Sequence, residues 1–406
     1  MNRVTQVRQA QVWPQSPVRQ NGVLELSARI EMPEQDPEVL WFRVPEEHIG
    51  RVTESADPFL LGILFLAMRR KADLYVHGVV SPYLLRNLEE FQGAWNCWWP
   101  NRYRRIEIQA ACEREEEIPP TDRTLMTFSG GLDSCFTAWR HRRGTSGRRR
   151  KRLEAALMVH GFDIPVGQPD VFHRAVEGSR KMTGSIGLDL IPMACNIREL
   201  GEDDWEQTHG AALACCQHLL RKHFSTGLIA SSHVYSALRF PWGSNPLTDP
   251  LLSSANFTIL YDGGEFSRRE KARAIAGWAE AMGHLRVCWE GKSKDRNCGV
   301  CVRCVGTAIC FAVEHQPLPA SLSIRSLDEA IRRLESIPIK PVTITRLEEL
   351  LTAAREAKIE KPWVTALDHC VKHHRRTSIF RWARLREILP RWSRDLLGPL
   401  RCFRHS

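Results

Sequence analysis

The chain has 406 residues, 43% of them hydrophobic and 26% charged, which suits an ordinary globular protein of two or three domains. Its longest apolar run, residues 59–68, is too short to span a bilayer, so no membrane role is expected. The net charge of +10 is concentrated: 140–152 holds eight Lys/Arg and no acid, and 371–406 holds ten against Glu387 and Asp395.

Residues 1–20 are polar and read as a flexible or edge segment. Residues 23–32 and 39–44 alternate or run apolar like strands. Asp57-Pro58 reads as an N-cap and first helical position, opening a buried helix over 59–68. A strand at 73–80, a helix at 82–98 and a strand at 105–110 complete a small α/β module, 1–115. The acidic, proline-bearing run 113–120 reads as a linker. From 125 onward strands alternate with helices: strands 125–128, 154–160, 189–194 and 226–231, helices 135–142, 171–183, 205–222 and 268–282. That order predicts an α/β fold, a doubly wound parallel sheet with its ligand crevice at the carboxyl ends of the strands. Residues 122–315 form this central domain, and 320–406 read as a basic, helical C-terminal region.

The most informative segment is Ser129-Gly130-Gly131-Leu132-Asp133-Ser134, between a strand and a helix. Two glycines at such a junction gather backbone N–H groups around one concavity at the positive end of a helix, which suits phosphate oxygens. Ser129 and Ser134 add hydroxyls. Asp133 repels phosphate, so it caps the helix or holds a cation that rides on the phosphates. Cys135 follows at the helix N-terminus. A lowered pKa there would suit sulfur transfer, and a place on the helix packing face is the plainer reading.

Cys288, Cys298, Cys301 and Cys304 are spaced C-x9-C-x2-C-x2-C. Four thiolates on one loop match a tetrahedral structural zinc site, and Gly299 eases the turn. An iron–sulfur cluster or free thiols are the other readings. The 13 cysteines and the absence of an apolar signal core point to a cytoplasmic protein. The basic stretches suit a polyanionic partner such as nucleic acid, or are simply solvated faces.

The 129–134 segment resembles the PP-loop signature SGGxDS of the ATP pyrophosphatases at every fixed position. The resemblance implies an adenine nucleotide alpha-hydrolase-like fold. It also implies cleavage of ATP to AMP and pyrophosphate, with Mg²⁺ on the phosphates. Ser129, Gly130, Gly131, Asp133 and Ser134 would hold the pyrophosphate, and Asp133 and Ser134 would count as catalytic. With the four late cysteines, 122–312 resembles the 7-cyano-7-deazaguanine synthase (QueC) family and the QueC-like proteins of bacterial defence systems. In that family the cysteines hold zinc beside the active site.

The resemblance implies an ATP-dependent ligase that adenylates a small-molecule carboxylate, a deazaguanine-like acid, and passes it to ammonia or an amine acceptor, including one on a protein. Two segments depart from the family: His160-Gly161-Phe162-Asp163 replaces a Tyr-Gly-Gln-like segment, and Thr208-His209-Gly210 stands where an Arg-Asn pair is expected. Asp163, His209 and His233 are the candidate substrate residues, with Asp249 beside them. The loop 242–246 is a lid or a surface turn. Two other readings stay open: a PP-loop tRNA-thiolating enzyme, and a non-catalytic nucleotide- and zinc-binding module.

Overall fold

The computed structural model describes residues 9–200 and 204–388. Contacts divide the chain into two compact units, Met1–Asn297 with Pro319–Leu322, and Cys298–Leu318 with Ser323–Ser406.

The first unit is built on one mostly parallel eleven-stranded sheet. Its N-terminal strands are β1 (Gln9–Pro14), β2 (Val18–Gln20), β3 (Val23–Glu31), β4 (Glu38–Pro45), β5 (Asp73–Val80) and β6 (Ile108–Glu113). Helices α1 (Asp57–Arg70) and α2 (Pro82–Trp98) interrupt them. Alternation in β3 turns Leu24, Leu26, Ala28 and Ile30 into the core, beside Phe42 of β4 and Leu60, Ile63, Leu64 and Ala67 of α1.

Five more strands follow: β7 (Arg123–Thr127), β8 (Arg152–His160), β9 (Asp189–Cys195), β10 (Thr226–Ala230) and β11 (Thr258–Asp262). They run parallel in the order β11-β10-β7-β8-β9. Between and after them lie α3 (Leu132–Arg143), α4 (Pro169–Ser185), α5 (Trp205–His218), α6 (Arg268–Ile275) and α7 (Ala279–His284). α3 touches β8 and β10, α4 touches β8 and β9, and α5 touches β7 and β10.

Several expectations are corrected. The segment expected to be flexible or at an edge contains β1, which is inserted between β3 and β5. The N-terminal module is continuous with the parallel strands: β4 pairs antiparallel with β9 through Phe42↔Cys195 and Arg43↔Ala194. Asn196 clasps that seam, accepting from the Trp41 N–H at 2.9 Å and donating to the Val39 carbonyl at 2.8 Å. Asp57 is not an N-cap; Ala56 is. Asp57 is instead buried, accepts from the Ser81 N–H, and pairs with the buried Arg221. Arg221 also holds Glu116 at 3.0 Å, so the expected linker is anchored to the body. The helix expected over 268–282 breaks around Gly277 into α6 and α7.

Much of the basic run 140–152 serves the fold. Arg142 donates to the Ile186 and Leu153 carbonyls, Arg150 to that of His141, and the buried Arg140 pairs with Asp262 and Glu265.

The second unit is helical, as expected: α8 (Val302–Val313), α9 (Leu327–Arg333), α10 (Pro341–Glu356) and α11 (Pro362–Ile388). Leu347, Leu351 and Ala354 of α10 are buried, as are Leu367 and Cys370 of α11. The rest of the basic tail, 389–406, lies outside the described residues. No described helix is long and apolar enough to cross a membrane.

Candidate functional site: a glycine loop and a four-cysteine centre

β7 ends at Thr127 and α3 begins at Leu132, so Phe128 and the Ser-Gly-Gly segment make the whole strand-to-helix connection. Gly130 takes φ +74°, which favours glycine, and a Cβ there would press on Met182 at 3.3 Å. Gly131 is the N-cap and makes no side-chain cap bond to the first turn of α3, and its own N–H donates to the Ser129 hydroxyl at 3.3 Å. Ser129 and Ser134 face each other, their hydroxyls 3.3 Å apart.

Asp133 does not cap the helix. Its carboxylate instead accepts from Arg268 Nη1 at 2.6 Å and Lys271 Nζ at 3.0 Å, both on α6. Lys271 is only 1% exposed and also donates to the Ser231 carbonyl and hydroxyl at the end of β10. Burial pulls its ammonium below the ordinary lysine range, and Asp133 opposes that pull. One carboxylate, two cations and the Ser231 hydroxyl thus converge beside the glycine loop, where the parallel strands β7 and β10 end.

Cys135 lies on the packing face of α3. It is fully buried against Met182, and burial raises its thiol far above the ordinary value. Cys215 and Cys216 of α5, consecutive in sequence and near Cys195, are also buried, with raised thiols.

The candidate substrate residues lie at the same end of the sheet. Asp163, just past β8, pairs with Arg286 at 3.2 Å. His160 donates to the Pro165 carbonyl and stacks on Phe172. His209 donates from Nδ1 to the Trp205 carbonyl at 2.9 Å, and burial lowers its pKa. His209 and His233 both meet Trp242 edge-on, with centroids 5.6 and 4.9 Å from the indole. The loop 242–246 therefore brings these two histidines to one aromatic centre. Gly210 permits this approach: a Cβ there would fall 2.0 Å from the Gly243 carbonyl oxygen.

Asp249 closes this loop, accepting from the Ser244 hydroxyl at 2.7 Å and the Asn245 N–H at 3.0 Å. Burial nonetheless raises its carboxyl to about 7. The folded state thus holds this proton more tightly than the unfolded chain, whose carboxyl titrates near ~3.9. Its stabilising contribution is complete below that value and is lost as pH rises through about 7. Asp249→Asn should remove this fall: a Tm profile from pH 4 to 8 should be flatter in the variant. Parallel profiles would refute the assignment.

The four cysteines come together as their spacing predicts. Their sulfurs all lie within 4.8 Å of one another. The Cys301–Cys304 and Cys298–Cys304 separations are 3.5 and 3.9 Å. Four thiolates ~2.3 Å from one tetrahedral ion are ~3.8 Å apart, so the set fits a single zinc ion. A cluster with one iron per cysteine would hold the sulfurs farther apart. Gly299 takes φ +73°, and the Cys301 N–H donates to the Cys298 sulfur at 3.3 Å, as in a tight knuckle.

Arg268 and Lys271 belong to the 267–271 stretch, which fits the family resemblance as a helix opening but carries no site role in the sequence, and Arg286 is not marked there at all. Arg286 sits two residues before Cys288, and that proximity was the one available signal. No protein-family model matches the chain, and no curated protein or solved structure matches it significantly.

Proposed function

We propose that this protein is a PP-loop ATP pyrophosphatase of doubly wound fold, an ATP-dependent ligase resembling the 7-cyano-7-deazaguanine synthases. It would adenylate a small carboxylic acid and transfer the acyl group to ammonia or another amine, including one on a protein. The observation that carries this reading is the convergence of Asp133, Arg268 and Lys271 on the glycine loop. A loop of amides alone would suit any small anion; two cations held beside it by one carboxylate suit a polyphosphate.

In the reaction, a carboxylate oxygen of the acid attacks the α-phosphorus of ATP and pyrophosphate leaves. The amine then attacks the acyl carbon, AMP departs, and an amide remains. The loop amides and the Ser129 and Ser134 hydroxyls bind the leaving pyrophosphate. Arg268 and Lys271 neutralise its growing charge, moving from Asp133 to phosphate oxygens. That exchange frees the Asp133 carboxylate to hold a cation. Magnesium, when bound there, would supply further charge neutralisation. Zinc at Cys288, Cys298, Cys301 and Cys304 would be structural, since four thiolates leave no open position. Trp242, His209 and His233 offer a ring face and imidazoles to a planar acid. The thiolation reading needs an accessible, reactive cysteine, and burial of Cys135, Cys215 and Cys216 argues against these as candidates.

The test is AMP and pyrophosphate release from ATP with 7-carboxy-7-deazaguanine, with ammonium or an amine-bearing protein as acceptor. Acid-dependent AMP formation supports the reading. No AMP with any acid and acceptor offered, from zinc-loaded protein, refutes it.

A further inference from the structure

One short segment, 285–297, joins the glycine loop to the four-cysteine centre. The peptide unit between Leu285 and Arg286 is bonded at both ends: its N–H donates to the Gly130 carbonyl at 2.8 Å, and its carbonyl accepts from Asn297 Nδ2 at 2.7 Å. The Arg286 side chain then donates to the Ser129 carbonyl at 2.9 Å, to Asp163 at 3.2 Å and to the Lys294 carbonyl at 3.1 Å. Asn297 Oδ1 accepts from the Val287 and Cys288 N–H groups at 2.9 and 3.2 Å. Arg286 and Asn297 are 9% and 7% exposed. The three Asn297 bonds within 285–288 are buried and the three Arg286 side-chain bonds partly so, and in such surroundings a network acts as a unit.

The consequence is a direct mechanical line. Cys288 is one of the four candidate metal ligands, its own N–H is held by Asn297, and Asn297 immediately precedes Cys298. The same asparagine fixes the peptide that fixes Gly130, the residue at positive φ in the loop. An ion that ties Cys288 to the later cysteines closes 288–298 into a cross-linked loop, and so holds Asn297 against 285–288. Without that cross-link the segment gains chain entropy, and Arg286 loses the frame that aims it at Ser129 and Gly130.

We propose that metal occupancy of the four-cysteine centre sets the conformation of the glycine loop through Arg286 and Asn297. Metal binding at the cysteines and anion binding at the loop are then coupled, each strengthening the other by the same factor. Arg286 is a positioning residue for the loop. The anion-binding half of this statement rests on the phosphate role proposed above; the conformational half does not.

The experiment uses the full chain, zinc-loaded or stripped by a chelator, in two measurements. The first is amide hydrogen exchange by mass spectrometry. Stripping should raise exchange in peptides covering 129–135 about tenfold or more, while β3 and β4 keep their protection. Zinc-loaded Asn297→Ala and Arg286→Lys should each raise exchange in the same loop peptides. The second is calorimetric binding of magnesium pyrophosphate. Stripping should weaken it by about 5–150-fold, Arg286→Lys should weaken it similarly, and stripping Arg286→Lys should add little.

Unchanged loop exchange on stripping overturns the proposal. So does loss of protection throughout β3 and β4, which would mean global unfolding, and so does simple additivity of the two losses. If loop exchange responds but loaded wild type binds no pyrophosphate, the conformational half stands, and the anion-binding half falls with the nucleotide reading.

Discussion

Asp133→Asn should lower acid-dependent pyrophosphate release by about 10²–10³-fold, the scale set by removing one preorganised charge-stabilising group. The residue has two duties in the proposed cycle. Before ATP arrives it holds Arg268 and Lys271 in place at 2.6 and 3.0 Å. Afterwards it holds a cation against the phosphates. Asparagine keeps the shape and one acceptor oxygen but loses the charge, so both duties weaken together.

Asp133→Ala is a poorer probe than sequence alone would suggest. Lys271 is almost fully buried and its ammonium is already destabilised by burial. Removing its carboxylate leaves the ammonium with the Ser231 carbonyl and hydroxyl and the weaker attraction of Asp262. Breaking a buried pair costs ~3–5 kcal/mol, and Asp133 is partly exposed, so about 2–3 kcal/mol is expected for alanine. Lost activity in that variant would mix chemistry with folding. Steady-state kinetics and a melting curve on both variants separate the two. Full turnover in a folded Asp133→Asn protein would remove this residue from the chemistry.

The same residue marks the boundary of what the sequence could say. The glycine loop and the cysteine knuckle are local patterns: strand, glycine pair and helix follow one another, and the sulfurs are brought together by a single loop. Arg268 and Lys271 meet Asp133 from 135 and 138 residues away, which no spacing rule encodes. The fold shows the same division. β5 and α2 keep their expected bounds because alternation and an Ser-Pro start are local signals. β1 lies in the segment that reads as flexible or at an edge, because its neighbours, β3 and β5, are chosen by tertiary pairing. Asp57-Pro58 carries a good capping signal, yet the buried Arg221 claims the carboxylate. β11 is a five-residue strand buried beside β10, too short for its period to stand out. Gly277 lies where one expected helix became two, at the residue type least able to hold a helix together.

Cys301→Ser should reduce bound zinc from one per chain to well below that, and lower Tm by about 5–10 °C. Structural zinc sites in small peptides supply ~10–16 kcal/mol, but this centre adjoins folded elements that keep part of their order without it. Cys301 has a particular position in the centre. It is the N-cap residue of α8, and its sulfur lies 3.5 Å from that of Cys304 within the same helix. A serine hydroxyl is a far weaker ligand for zinc than a thiolate, so the variant loses both the ion and the cross-link that sets the start of α8. Cys370→Ser is the control. That cysteine is equally buried, and burial pushes its thiol up to about 12, but it lies outside the four-sulfur set. It should keep its zinc and lose only the small packing contribution of one sulfur. Metal analysis beside a melting curve decides the matter: if both variants retain zinc equally, the four sulfurs gather for packing rather than for an ion.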